Sequence, residues 1–277
     1  MRSFAVRFLL LFAAASLATG AAAQDRKEFQ PQIGQQGKDV IWVPTPDEIV
    51  ERMLRMAQTT ANDYVMDLGA GDGRIAIAAA KKFGARSTGI EYNPDMVRLA
   101  QRNAEKEGVA GKAKFMQADI FATDFSQASV LTMYLLPNLN LKLRPTILTM
   151  KPGTRVVSHS FNMEDWKPDE TSSLDGRNAY LWIVPANVGG AWRVTFNNQS
   201  YDVNFDQHYQ KIEGTIRLGT LSAGLREAQL NGAGIHFAFV DNSGMRHQFT
   251  GRVTGARMEG SVRGDDGKET RWSAEKR

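Results

Sequence analysis

The sequence predicts an α/β fold, a mostly parallel sheet with flanking helices, followed by a C-terminal antiparallel β-meander. Three observations carry that prediction. Between residues 64 and 159, short apolar runs alternate with longer segments of helical period, the pattern of βαβ units. A glycine-rich turn, Gly69-Ala70-Gly71-Asp72-Gly73, joins the first of these strands to its helix. Beyond residue 197 the helical period is lost. There Val203/Phe205/Tyr209, Ile235/Phe237/Phe239 and Phe249/Val253 fall on alternating positions between recurrent glycines, as half-buried antiparallel strands do.

Taken in order, the chain opens with Arg2 and Arg7 around the start of an apolar run, Phe8 to Ala18, that ends in Ala21-Ala22-Ala23. A basic start, a short apolar core and a small-residue end make a secretory signal peptide over residues 1–23, which predicts export to a bacterial periplasm. The run is shorter than the ~20 residues a membrane span needs, so the mature chain is expected to carry none. Residues 24–44, polar and holding Gly34, Gly37 and several Gln, read as a leader with little regular structure. Thr45-Pro46-Asp47-Glu48 reads as a capping box, with Thr at the N-cap, Pro at N1 and Glu at N3. Ile49, Val50, Met53, Leu54 and Met56-Ala57 then follow at helical spacing.

Strands are expected at 64–68, 86–91, 113–118, 128–134 and 154–159, and helices at 73–83, 94–107 and 138–150. Residues 162–178 read as irregular. Tyr180–Val184 and Trp192–Phe196 bracket Asn187-Val188-Gly189-Gly190 and read as a hairpin that closes the edge of the main sheet. The boundaries follow: an α/β domain over 45–197 and a β-rich domain over 198–277. The independent period of the meander predicts that residues 24–197 fold and bind ligand without it.

Composition excludes several chemistries. No cysteine is present among the 277 residues, which removes disulfides, thiolate metal sites and cysteine nucleophiles. Four histidines in no ligand spacing argue against zinc. A formal charge of +4, two of whose positives sit at the N-terminus, is too small to indicate nucleic acid, which calls for a clustered basic face.

The chemistry concentrates at strand ends. In Val65-Met66-Asp67-Leu68-Gly69-Ala70-Gly71-Asp72-Gly73-Arg74, Gly69 and Gly71 let backbone approach a ligand, and the helix that follows offers free N–H groups. Glu91 ends the second strand, where a carboxylate can accept both hydroxyls of a ribose. It reads as facing solvent, with no partner of its own. Asp119 ends the third, placed to accept from an adenine amino group while Ile120 packs on the ring. A dinucleotide site would need its third glycine at position 74, where the chain has Arg74. An acid before the loop repels a pyrophosphate and suits an ammonium.

This constellation resembles the class I S-adenosylmethionine-dependent methyltransferases. With Val43-Pro44-Thr45-Pro46-Asp47-Glu48 and Tyr134-Leu135-Leu136-Pro137-Asn138 it resembles more narrowly a bacterial exported methyltransferase-like family. That family is similar to the mitochondrial lysine methyltransferases of the ATP synthase c-subunit. The similarity covers about residues 40–165. It implies a Rossmann-like methyltransferase sheet and S-adenosylmethionine as cofactor. Asp67, Gly69, Ala70, Gly71 and Gly73 would hold the methionine part, Glu91 the ribose, and Asp119 and Ile120 the adenine. Thr45 would reach the cofactor carboxylate or simply cap its helix. At the acceptor end the Asn/Asp-Pro-Pro motif of many amino-methylating enzymes is missing. The aromatic-leucine-proline run instead points to a protein lysine, with Tyr134, Pro137 and Asn138 as the catalytic candidates and no metal. His159 reads as a base or, more simply, a packed side chain; Asp165 and Trp166 read as a loop over the same sheet edge. A rival from another class is an exported binding or scaffold protein with a degenerate methyltransferase fold, whose working part is the meander.

Overall fold

In the computed structural model, which describes residues 29–277, the parallel strands are β1 (Tyr64–Leu68), β2 (Arg86–Glu91), β3 (Ala113–Gln117), β4 (Val130–Met133) and β5 (Arg155–His159). Together with β6 (Glu170–Leu174) and the antiparallel β7 (Arg177–Ile183) they form a seven-stranded sheet of order β3-β2-β1-β4-β5-β7-β6. The proposed signal peptide of residues 1–23 lies outside the described residues. Both faces are covered at the centre of the sheet, so β1, β4 and β5 are buried on both sides. Val65, Val130 and Val157 face α1 (Asp47–Met56) and α2 (Arg74–Phe83). Met66, Leu131 and Met133 face α4 (Pro137–Leu148) together with Trp166 and Trp182. Helix α3 (Pro94–Lys106) covers β3. Strand order reverses between β1 and β4, and ligands bind beyond the carboxyl ends of strands at such a switch point.

The second sheet is closed. Its strands are β8 (Gly190–Phe196), β9 (Gln199–His208), β10 (Lys211–Leu218), β11 (Leu221–Gly224), β12 (Arg226–Asn231), β13 (Gly234–Val240), β14 (Arg246–Thr254), β15 (Arg257–Gly264) and β16 (Glu269–Lys276). β9 pairs with both β8 and β10, β12 meets β10 at Lys211–Gln229, and β16 pairs with β8. The result is an up-and-down antiparallel barrel of eight strands, with β11 folded back on β10. A barrel of this size has room for little beyond its own side chains. Phe237 and Phe249, directly opposite across β13 and β14, stack with centroids 4.7 Å apart. Trp272 stands edge-on to both. The facing pair Gly251 and Gly260 makes that possible, because a Cβ on Gly251 would stand 2.6 Å from the Trp272 ring.

Several expectations are corrected. Trp192–Phe196 does not pair with Tyr180–Val184. It becomes β8 of the barrel, and the second edge strand of the first sheet comes instead from Glu170–Leu174, within the stretch that read as irregular. Alternation along Trp192–Phe196 cannot name that strand's partner, and Glu170–Leu174, with one apolar residue, shows no alternation at all. The change of sheet therefore falls between Ile183 and Gly190, and a cut at residue 197 would sever β8 from β9 and β16. Nor is the barrel an appendage. At the β9–β10 turn Tyr209 stacks on Trp166 at 5.7 Å and donates to Asp165 at 2.8 Å, while Gln210 accepts from Trp166 Nε1 at 3.0 Å.

Candidate functional site

A cavity of ≈310 Å³ opens beyond the carboxyl ends of the parallel strands, large enough for a small molecule. Its floor is the glycine loop. Gly71 has φ +55°, and a Cβ there would stand 2.7 Å from Trp42 Nε1, so only glycine fits between the loop and its cover. That cover comes from the leader, which is folded rather than irregular. Gln36 and Ile41 pair across a tight turn at Gly37–Val40, with Trp42 N–H donating to the Gln35 carbonyl at 2.9 Å. Polar, glycine-rich composition concealed this hairpin because its contacts are tertiary.

Asp67 is 1% exposed. Its Oδ1 accepts from the Thr132 hydroxyl at 2.7 Å, while its buried Oδ2 has no partner. Burial pushes this carboxyl up to about 7, against the Thr132 bond and helped by the nearby negative charges of Asp72 and Glu91. A buried acceptor left open at the mouth of a glycine loop fits a cationic amine that would both pair it and hold it ionised. Glu91 is braced, contrary to the solvent-facing expectation. It accepts from Gly71 N–H at 3.0 Å and from Asn93 N–H at 2.9 Å. Asp119 accepts from Phe121 N–H at 2.9 Å and from Lys38 Nζ at 2.6 Å, and the Lys38 hydrogen bond above all holds its carboxyl below the usual range. Ile120 lines the cavity beside it.

At the far end, Tyr134 lines the cavity with Leu135, Leu136, Leu139 and Phe161. Its ring lies 4.0 Å from that of His159 and 6.1 Å from that of Phe161, stacked on the latter. His159 is buried behind Tyr134. Burial, then the charge of Arg177, pulls it down to about 4, so it is neutral in the physiological range.

The family model for the ANTKMT methyltransferase domain matches residues 67–170. Over 151 residues the chain is 44% identical to a protein-lysine N-methyltransferase of Saccharolobus islandicus, spanning 52% of this chain and 94% of that protein. The chain belongs to this methyltransferase family. It is also 36% identical over 153 residues to the lysine N-methyltransferase of the ATP synthase c-subunit from Mus musculus, covering 55% of this chain and 61% of the mouse protein. An RNA methyltransferase from Salinibacter ruber, solved with S-adenosyl-L-homocysteine, is 49% identical, with TM-score 0.52 over 53% of this chain and 96% of that one. S-adenosylmethionine is the cofactor of this fold, and the open oxygen of Asp67 is consistent with its amine. The family-model match ends at residue 170, before the first barrel strand begins at Gly190.

Within the methyltransferase, the structure gathers Thr45, Asp67, Gly69, Ala70, Gly71, Glu91, Asp119, Ile120 and Tyr134 around one cavity. It does not bring Gly73, Pro137 or Asn138 there. A Cβ on Gly73 would meet Phe115 and Ala100, so this glycine serves the approach of α2 to its neighbours. Pro137 is the first residue of α4 and Asn138 the next; both are exposed, because the helix turns them away at once. The buried asparagine is Asn140. Its amide donates to the Phe161 carbonyl at 3.2 Å and so holds the cavity wall. Thr45 is not the helix cap. Pro46 takes that place, its carbonyl accepting from Ile49 and Val50, and the Thr45 hydroxyl turns to His159 Nδ1 at 3.2 Å. Sequence reasoning missed Lys38, Trp42, Arg74 and Phe161; a Trp isolated in a polar leader was the one available signal.

Proposed function

We propose that this chain is a protein-lysine N-methyltransferase whose cofactor-binding residues are Thr45, Asp67, Gly69, Ala70, Gly71, Glu91, Asp119 and Ile120. In this reading Asp67 pairs the cofactor amine, Glu91 the ribose, and Asp119 and Ile120 the adenine. Bound S-adenosylmethionine supplies a methyl group on a sulfonium, and transfer needs chiefly alignment and a neutral nucleophile. The observation that carries the reading is the aromatic far end of the cavity. Tyr134 and Phe161 offer ring faces, and a neutral His159 behind them adds no positive charge. A desolvated aromatic site favours a neutral incoming amine, and ring faces stabilise the ammonium that develops on transfer. The Tyr134 hydroxyl orients the amine. Relatives named for protein lysine support the acceptor, and the intact cavity with its open Asp67 oxygen gives the scaffold reading no support.

A second reading, RNA as acceptor, is favoured by the Salinibacter relative alone. Tritiated S-adenosylmethionine offered with poly-L-lysine, with bacterial proteins and with total RNA separates the two. Methyllysine after acid hydrolysis is the expected product. Label found only in ribonuclease-sensitive material would overturn the lysine assignment. The reading also includes export by the N-terminal signal, which a fusion of residues 1–30 to an export-dependent reporter tests.

A further inference from the structure

The main cavity has a neighbour. A second cavity of ≈520 Å³ lies against the start of α3, lined by Gln36, Pro94, Asp95 and Gln117 among others. The two share Gly37, Lys38, Tyr92, Asn93, Ala118 and Asp119. Between them runs the Lys38 side chain, its ammonium 2.6 Å from Asp119 Oδ2 and 4.9 Å from the centroid of the Tyr92 ring. Lys38 sits at the tip of the covering hairpin, whose other polar hold on that side is Gln35 Nε2 on Met96 Sδ at 3.8 Å. Trp42, on the return strand of the hairpin, lies over Gly71.

We propose that Lys38 is a gate residue of the cofactor site. Its ion pair with Asp119 walls the main cavity from the outer groove, and breaking the pair joins them into one passage by which cofactor enters and product leaves. The pair is poised for this. Both partners are about one-third exposed, at 33% and 32%, and exposed pairs are weak and screened by salt. Lys38 thus closes the site without trapping what it holds. The inference rests on the cofactor assignment above and is tested so that the two can fail separately.

The experiment follows S-adenosyl-L-homocysteine by stopped-flow tryptophan fluorescence, Trp42 being the reporter, in the full chain and in Lys38→Met and Lys38→Arg. Lys38→Met is expected to raise the association and dissociation rate constants together, each by about fivefold, the scale of losing an exposed ion pair. Kd then moves little. Raising salt should speed exchange in the unsubstituted protein and not in Lys38→Met, while Lys38→Arg should retain slow exchange. Without any ligand, amide hydrogen exchange over residues 35–42 should quicken in Lys38→Met. Dissociation alone rising, with association unchanged, would make Lys38 a ligand contact and overturn the gate. So would unchanged rates, or unchanged amide exchange in the free protein. No binding by the unsubstituted chain, with amide exchange responding as expected, would instead sink the cofactor assignment and leave a ligand-independent latch.

Discussion

Replacing Asp67 by Asn should stabilise the free protein while weakening its hold on cofactor. The carboxyl is buried and raised from an ordinary 3.8 to about 7. A folded-state value above the unfolded one means the native protein prefers the protonated acid. The corresponding stability is fully present below pH ~4 and is lost as pH rises from about 4 to about 7. At 1.36 kcal/mol for each tenfold change, ionised Asp67 costs the free protein about 4 kcal/mol at pH 8. Asn keeps the oxygen that accepts from Thr132 and removes the charge, but leaves an unpartnered amide in place of Oδ2, at a cost of about 1–3 kcal/mol. The net gain at pH 8 is about 1–3 kcal/mol. The unpartnered amide does not titrate, so the pH dependence is the cleaner signal: the advantage of Asp67→Asn over the unsubstituted protein should shrink by about 2–3 kcal/mol between pH 8 and pH 5. Urea unfolding of both proteins at the two pH values measures this. A difference independent of pH, or an Asp67→Asn protein that is less stable at pH 8, refutes the claim that an unpaired buried charge waits there.

The same carboxyl must ionise to pair an ammonium, so affinity for S-adenosyl-L-homocysteine should fall below pH 7, approaching tenfold per pH unit, and calorimetry should find that fall missing in Asp67→Asn. Glu91→Ala strands the N–H groups of Gly71 and Asn93, so it should lower the melting temperature of the free protein as well as weaken cofactor binding at least tenfold, at ~1.5–3 kcal/mol for each bond to a charged group. A loss of affinity with no change in melting would show that the bracing does not stabilise the loop. A chain ending at Val184 uncovers the Trp166 face that Tyr209 and Gln210 now close, and is expected to bind a hydrophobic dye and aggregate. A soluble monomer that binds cofactor normally would show that the two sheets are energetically separate.

What the sequence made legible was local. Strand-helix alternation, the glycine loop and the acids at strand ends all lie within a few residues of the backbone they shape, and the structure finds them nearly where the spacing puts them. Partner choice was not legible. Trp192–Phe196 leaves the first sheet because its partner β16 lies some 80 residues further along the chain, and barrel closure rests on that pairing. Glu170–Leu174 pairs locally with β7 across the Asp175-Gly176 turn, and its single apolar residue hides it as a strand. The site divided in the same way. Asp67, Glu91 and Asp119 stood out as acids in order, whereas Lys38 and Trp42 reach the cavity only through a hairpin that composition disguised. Pro137 and Asn138 follow Tyr134 directly in sequence, yet a helix starting at Pro137 sends them outward while Leu139 turns back in.

The barrel bears on the aromatic end of the cavity through one loop. Phe161 lines the cavity, and its carbonyl is held by Ser158 Oγ at 2.7 Å and by Asn140. Two residues on, the Met163 carbonyl accepts from Arg144 at 3.0 Å, and Arg144 also pairs with Asp165. Asp165 in turn accepts from Tyr209, while Gln210 joins Trp166 to the carbonyl of Lys167, 2.7 Å from Gln210 Nε2. The segment that begins at Phe161 on the cavity wall is therefore clamped between α4 and the barrel turn. Tyr209 holds its place with φ +55°, a backbone conformation a bulky residue adopts only when its surroundings impose it. Conversion of Tyr209 to Phe together with Gln210 to Ala removes the barrel's hydrogen bonds to this segment while keeping the ring stacked on Trp166. The expected result is faster amide exchange over 161–169, weaker use of the acceptor, and unaltered affinity for S-adenosyl-L-homocysteine, whose side of the cavity the clamp does not touch. Equal losses on both sides of the cavity would mean that the turn supports the whole sheet rather than the wall at Phe161.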